Sequence, residues 1–438
     1  MDNKSSTHSK KLSLIEVVSM AVGTMIGASI FSIFGLGAKV AGKGLPEAFL
    51  LSGVFALAVA YSYATLGKKI ISNAGPIAFI LKAFGDKLIT GVLSFLMWLT
   101  YVISISLFVK GFAGYFLPLV HINSTAYTTG YTEAILILFF VALNFFGSKA
   151  VGKAEFYIVL IKLSILMLFI IGGFFTIKGT ALMPKLDGPR SMGVLNGSVI
   201  LFLSYMGFGL ITNTSENIRD PARNVPRAIL ISILFVMAVY VLIAVVTIGN
   251  LPLPEIIRAK ENALAVTSRP FLGKFGFLLI SIGALFSISS ALNATIFGGA
   301  NIAYSLAKDG ELPDFFERKT WFKSTEGLYI TAALGLFFAL FFDLDAIASI
   351  TSTVFTVIYV FVLFAHLQIR KEYGGNKFLI LFNIILLLSV FAALMRYQWL
   401  NERSAFYANI IAFAGAFAVE YIFRKVRGRT FAPSEAGD

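Results

Sequence analysis

Ala21-Val22-Gly23-Thr24-Met25-Ile26-Gly27-Ala28-Ser29-Ile30-Phe31 lies in the middle of an apolar run covering residues 12–40, and interrupts it with two glycines and small polar side chains. A run of this kind is long enough to cross a hydrocarbon core, which needs about 20 residues at 1.5 Å of rise each. Glycine at mid-depth weakens the helix and lets the backbone open. An opened helix inside a membrane leaves N–H and C=O groups free, and this is tolerated only where they line a cavity or are buried in protein. The sequence repeats the device in Ser204-Tyr205-Met206-Gly207-Phe208-Gly209, inside another apolar run. The two interruptions lie roughly 180 residues apart, and paired breaks at matching positions point to a secondary transporter.

Working outward from these breaks, twelve apolar runs fall near 12–40, 45–67, 88–117, 131–147, 154–178, 193–216, 226–249, 272–306, 327–342, 345–369, 377–396 and 403–423. The fold class expected is therefore an all-α polytopic membrane protein with about twelve transmembrane helices, spans 1 and 6 being broken. Composition agrees. Of 438 residues, 58% are hydrophobic and 13% charged, with mean hydropathy +0.84. Soluble domains carry about 25% charged residues. The absence of cysteine excludes disulfides and thiolate chemistry. His8, His121 and His366 lie too far apart to build a metal pair on one helix, so no metal site is expected. The net charge of +13 comes from cations in short loops rather than from a basic face, which argues for a bilayer and against nucleic acid. Lys and Arg favour one set of loops by about two to one, which places both termini in the cytoplasm of a cell-membrane protein.

Counted from each broken span, five spans make a half, so two inverted repeats are expected at 12–178 and 193–370. Accessory spans occupy 371–424, and tails cover 1–11 and 425–438. In such a repeat, free amides at half-helix N-termini suit a carboxylate, and free carbonyls suit an ammonium. Gly27 and Gly207 then keep the approach to the backbone narrow. Gly23 and Gly27 also fit the G-x-x-x-G spacing used for close helix packing, an alternative open at this point. Lys162, in Phe156-Tyr157-Ile158-Val159-Leu160-Ile161-Lys162-Leu163-Ser164-Ile165, is a second feature. It lies about 10–13 Å from the cytoplasmic end of its span. A charge at this depth is expensive and usually marks an ion or proton pathway, and an amine removed from water releases its proton more readily. The alternative is a stem that carries the ammonium to the headgroups.

Four motifs in order resemble the amino acid–polyamine–organocation superfamily of transporters, with the LeuT-type fold of five plus five inverted spans and two C-terminal helices. Gly23 to Phe31 is similar to that family's G-S-x-I-G-S-G-I-F signature, with Ser29 in place of its third glycine. Asn73-Ala74-Gly75-Pro76-Ile77-Ala78-Phe79 resembles its G-G-x-Y loop. Ser204 to Gly209, followed by Glu216, Pro221, Pro226, Arg227, Ala228 and Ile229, resembles its Y-x-G-F-D and E-x-x-x-x-P-x-x-x-x-P-R-A-I pattern, with Gly209 where many members are acidic. Ala307-Lys308-Asp309-Gly310-Glu311-Leu312-Pro313 is similar to its A-R-D-G-x-L-P loop. Length, breaks and lysine look most like archaeal proton-coupled members. The resemblance implies that the amides of Ala28 and Ser29 receive a substrate carboxylate and the carbonyls of Met25, Leu203 and Met206 its ammonium. It also implies an apolar side-chain pocket around Ile26, Phe202 and Phe208. Lys162 would occupy the fold's second sodium site, touching Gly23 and Ser287. A gating aromatic is missing at Leu203, with Phe202 and Tyr205 nearby.

The function expected is proton-coupled, sodium-independent uptake of mainly neutral L-amino acids by alternating access. Exchange of amino acids is the alternative. An enzyme would need a convergent nucleophile, base or metal set, and none is visible. A sensor would usually carry an appended domain, for which the tails leave no room. The proton is the coupling ion, no other cofactor is expected, and the partners are the amino acid and the bilayer, with no obligatory protein partner evident. Lys110 reads as reaching to headgroups, Glu16, Glu155 and Glu420 as interfacial, and His366 as a packing residue. Pro252 through Val266 reads as a short external lid helix.

Overall fold

Ser13 and Glu16 open the first helix with a reciprocal cap, in which the Glu16 amide donates to Ser13 Oγ at 3.4 Å and the Ser13 amide to Glu16 Oε2 at 2.7 Å. Glu16 is thus a capping group. The computed structural model describes residues 11–27, 29–144, 151–177, 188–308, 312, 314–319 and 325–427. Its elements are helical apart from isolated bridges pairing Leu12 with Ile218 and Lys319 with Thr325. In chain order they are α1 Leu14–Met25, α2 Ser29–Ala41, α3 Leu45–Gly67, α4 Pro76–Phe84, α5 Leu88–Leu119, α6 Ala126–Asn144, α7 Val151–Phe174 and α8 Gly188–Leu201. After the 3-10 stretch Phe202–Gly209 come α9 Leu210–Asn213, α10 Pro221–Asn250, α11 Leu253–Ala259 and α12 Ala263–Lys308. The last four are α13 Glu326–Phe341, α14 Leu344–Tyr373, α15 Lys377–Asn401 and α16 Arg403–Arg427.

Among the described residues, ten helical stretches are long and apolar enough to cross a membrane, and Leu14–Met25 and Glu326–Phe341 are shorter apolar helices. Together they account for the twelve runs. The first run is α1 plus α2, separated by a turn at Ile26 and Gly27, and the sixth is α8, the 3-10 stretch and α9. Span boundaries agree with expectation to within a few residues, because proline and glycine set them. Pro221 starts α10 after Asp220 in a left-handed conformation, and Gly273, with φ 62°, kinks α12. The residues before that kink, with α11, supply the helical structure expected over Pro252 to Val266. The helix α4 is absent from the twelve runs, since its nine residues are too short to span.

Between helices in a bilayer the lipid is as apolar as the partner, so close packing has to hold them. α10 lies along α3 and α1, and at Gly53 a side chain would collide with Met237. α5 is the mast of the other group, lying along α12, α13, α14 and α16. Polar contacts then mark two ends. At the termini end the Leu12 amide donates to Asn217 O at 2.8 Å, Asn73 Nδ2 to Glu216 Oε2 at 3.1 Å, and Lys69 Nζ to Glu372 O at 2.9 Å. At the far end Lys39 pairs with Asp345, Arg190 with Glu47 and Lys110 with Glu133. Glu402 joins α15 to α16 there and accepts from Ser349 Oγ at 2.6 Å, and burial holds its carboxyl above the usual carboxylate range. Lys110 therefore does not reach for headgroups, because the buried Glu133 carboxylate lies 3.4 Å away and neutralises it. Glu420, near the end of α16, is buried, its charge met by Arg424, which also pairs with Asp86 in the loop before α5. His366 is a packing residue, with Nδ1 2.7 Å from Ser62 Oγ and Nε2 3.0 Å from Gly374 O.

Candidate functional site at the two breaks

α1 ends at Met25, so its last carbonyls have no partner within the helix and must find donors elsewhere. Those of Val22 and Thr24 accept from the amides of Ile26 and Gly27 in the turn, and the other carbonyls of the break find donors on three other helices. Lys162 of α7, only 2% exposed, donates its ammonium to the Gly23 carbonyl. The Ser287 hydroxyl of α12 donates to the Gly27 carbonyl, with that of Ile26 3.3 Å away. The Tyr240 hydroxyl of α10 donates to Met25 O at 2.5 Å, with Ser204 O at 3.3 Å. Ser29 Oγ also reaches Met25 O, at 3.4 Å. Lys162 and Ser287 thus bind adjacent parts of the same break, one from α7 and one from α12.

The second break lies directly against the first. A side chain at Gly207 would come within 2.8 Å of Met25 N, and one at Gly27 within 2.9 Å of Thr24 O and 3.2 Å of Ala291 Cβ. These two glycines are needed for approach rather than for an unusual φ. The carbonyl of Met206 is met by the Tyr359 hydroxyl of α14 at 3.3 Å. Of the three carbonyls assigned to an ammonium, those of Met25 and Met206 therefore already have tyrosine donors in this structure.

A cavity of about 180 Å³ opens beside the breaks. Gly23, Ser29, Leu203, Met206 and Gly207 reach its wall, facing Tyr101 of α5 and Thr295 of α12. Its size suits a small molecule, being well short of the roughly 300–1,000 Å³ of drug-sized pockets. Among the described residues its wall carries no charged side chain. It lies on the termini side, where Tyr63, Pro76 and Asn213 border it and Thr24 is exposed at mid-span. On the far side Phe31, Phe34 and Phe49 are fully buried, with Phe34 and Phe49 stacked at 5.8 Å. Phe202 and Phe208 stand behind the cavity wall rather than on it. Phe208 stacks on Tyr359 at 5.7 Å, and Phe202 packs against Tyr359 and Phe55. Ile26 is buried in the turn itself, and Ala28 lies outside the described residues. So does most of the Asp309–Pro313 loop.

The hydroxyls of Tyr240 and Tyr359 were not legible as site groups. They come from α10 and α14, 215 and 153 positions from the carbonyls they serve, and a buried tyrosine in an apolar run reads as bulk.

Comparison with known proteins adds to this geometry. The amino acid permease family profile matches residues 12–419. A protein of Methanocaldococcus jannaschii, described as uncharacterized protein MJ0609, is 63% identical over 422 residues, covering 96% of this chain and 97% of its own. The Escherichia coli inner membrane transport protein YbaT is 29% identical over 401 residues, 91% of this chain and 93% of its own. The Bacillus subtilis serine/threonine exchanger SteT is 24% identical over 384 residues, 84% and 85% of the two chains.

Proposed function

This chain belongs to the amino acid permease family and is a membrane-embedded amino-acid transporter, and from that premise we propose that it carries neutral L-amino acids into the cell together with protons, without sodium, by alternating access. The observation that carries the proposal is the Lys162 ammonium on the Gly23 carbonyl, in a site nearly sealed from solvent. A protonated amine there is a fixed monovalent cation that ties α1 to α7. Loss of its proton removes the charge and weakens the tie, which lets α1 move, so one proton event governs the half-helix that borders the cavity. A sodium ion at that place is redundant.

The substrate is held across the breaks. The amide of Ser29 at the start of α2 faces its carboxylate, and the carbonyl edge of the 3-10 stretch at Leu203 and Met206 faces its ammonium. The Met25 carbonyl contributes less, having Tyr240 and Ser29 as donors already. The uncharged wall supports neutral side chains, because a charged one would need a buried partner. Five spans from each break give the two halves, 12–178 and 193–370, opposite orientations in the membrane. The excess of Lys and Arg at the termini end puts that end in the cytoplasm.

Exchange is the second reading, supported by the likeness to a serine/threonine exchanger. Uptake by proteoliposomes loaded without amino acid separates the two. Radiolabelled alanine, leucine, serine, glutamate and lysine are offered with an inward proton gradient, with an inward sodium gradient, or with neither. The proposal expects accumulation of the neutral amino acids with the proton gradient alone. Accumulation that needs sodium, or uptake only when amino acid is already inside, contradicts it.

A further inference from the structure

Tyr240 has no place in the mechanism so far, yet it is fully buried and its hydroxyl lies between the two breaks. It donates to the Met25 carbonyl at 2.5 Å and stands 3.3 Å from the Ser204 carbonyl. A phenol carries one proton, so Met25 is its acceptor and Ser204 a close second. The ring is fixed by its neighbours, Phe49 at 5.3 Å and Tyr205 at 5.4 Å between centroids. Tyr240 does not border the cavity. It acts from behind, through Met25.

The Met25 backbone is the shared wall of the two breaks. Its amide side lies against Gly207 and its carbonyl against Tyr240, so it is gripped between the 3-10 stretch and α10. Just beyond it come the turn and the amides at the start of α2, while the carbonyls of Leu203 and Met206 lie on either side of Ser204 in the chain. One hydroxyl therefore fixes the separation between the group that would receive a carboxylate and the group that would receive an ammonium.

We propose that Tyr240 is a positioning residue that sets the spacing between the carboxylate and ammonium subsites, and so makes the site selective for molecules carrying both groups on one carbon. The proposal rests on the amino acid being held across the breaks. A ligand held at two points gains from correct spacing because its second contact is intramolecular, whereas a ligand with one of the groups does not use the spacing at all.

The test is competition binding in nanodiscs with alanine, with propionate, which lacks the amine, and with ethylamine, which lacks the carboxylate. In the wild type alanine is expected to bind far more tightly than either half. Tyr240→Phe should weaken alanine by about tenfold, the scale of one buried hydrogen bond, and leave propionate and ethylamine within about twofold. Tyr205→Phe serves as the comparator, since its hydroxyl donates to Phe49 O at 2.8 Å, away from Met25. It removes a buried phenol bond of the same kind, and should preserve the ratio of alanine to its halves. A p-aminophenylalanine introduced at position 240 keeps a donor in place and should restore alanine binding. Tyr240→His, whose ring is too short to reach Met25, gives the same reading if the phenylalanine variant does not fold. Proportional weakening of all three ligands in Tyr240→Phe, or an equal change of ratio in Tyr205→Phe, overturns the proposal. Halves that bind the wild type as well as alanine does would instead overturn the two-point site itself.

Discussion

Gly207 and Gly209 are two residues apart in one 3-10 stretch, but a methyl group added to each meets different surroundings. At Gly207 it would press on the Met25 backbone at 2.8 Å, and at Gly209 its nearest neighbour is Tyr63 Cε1 at 4.0 Å. Backbone cannot step aside as a flexible side chain does, so Gly207→Ala should lower the initial rate of alanine uptake at least tenfold, the effect of a displacement near 1 Å at a binding site. Gly209→Ala should stay within about twofold. Gly27→Leu and Gly207→Leu should abolish uptake while the protein still reaches the membrane; wild-type rates in both would place the site elsewhere. Ser29→Gly loses only a 3.4 Å bond and should be tolerated. At this scale the sequence revealed the positions of the breaks, because glycine and small polar residues at mid-depth have few other uses. It did not reveal what satisfies the carbonyls they free. Resemblance links Lys162 to the Gly23 backbone but gives Ser287 only as a contact of Lys162, not as the donor to Gly27 O, and it gives Tyr240 no place, because its partner is brought near only by the packing of α10 on α1.

At the level of whole elements, α5 and α6 show what a run of apolar residues conceals. Lys110 on α5 and Glu133 on α6 form a pair whose side chains are 17% and 1% exposed. Local sequence gave Lys110 a plausible route to the headgroups, since Glu133 is 23 positions away and its helix could have faced lipid. The asymmetry of burial predicts an asymmetry of cost. Lys110→Met strands a carboxylate with almost no access to water and should destabilise by about 3 kcal/mol. Glu133→Leu leaves an amine that still reaches solvent and should cost about 1 kcal/mol. The double variant should recover much of the larger loss, as replacement of a buried pair by apolar groups often does. Thermal inactivation of the purified variants in detergent measures all three. Equal losses in the two single variants would show that the pair is not buried as described. Span boundaries were easier to read than this pair because proline and glycine fix them locally. The helix α4 was missed because it is too short for the length criterion and lies in a loop recognised only as a motif.

The whole molecule is a bundle closed by aromatic rings at its far end and open beside α1, α9 and α12 at its termini end. The proposed orientation, with the open end in the cytoplasm, rests on the excess of Lys and Arg there, and labelling tests it directly because the chain has no cysteine. Ala263 is fully buried and unsuitable for labelling, whereas Glu255 on α11 and Lys371 at the end of α14 are exposed. In intact cells a membrane-impermeant maleimide should label Glu255→Cys and leave Lys371→Cys unlabelled until the membrane is opened; the reverse pattern would invert the topology. The proposed coupling also belongs to this scale, since it has a proton on one amine decide whether a half-helix stays bound to the bundle. The measurement that tests it most directly compares the wild type with Lys162→Ala in proteoliposomes, following alanine accumulation on an inward proton gradient and alanine counterflow with no gradient. The account predicts that the wild type performs both, and that Lys162→Ala keeps counterflow but no longer accumulates alanine. A Lys162→Ala protein that still concentrates alanine on the proton gradient would contradict it.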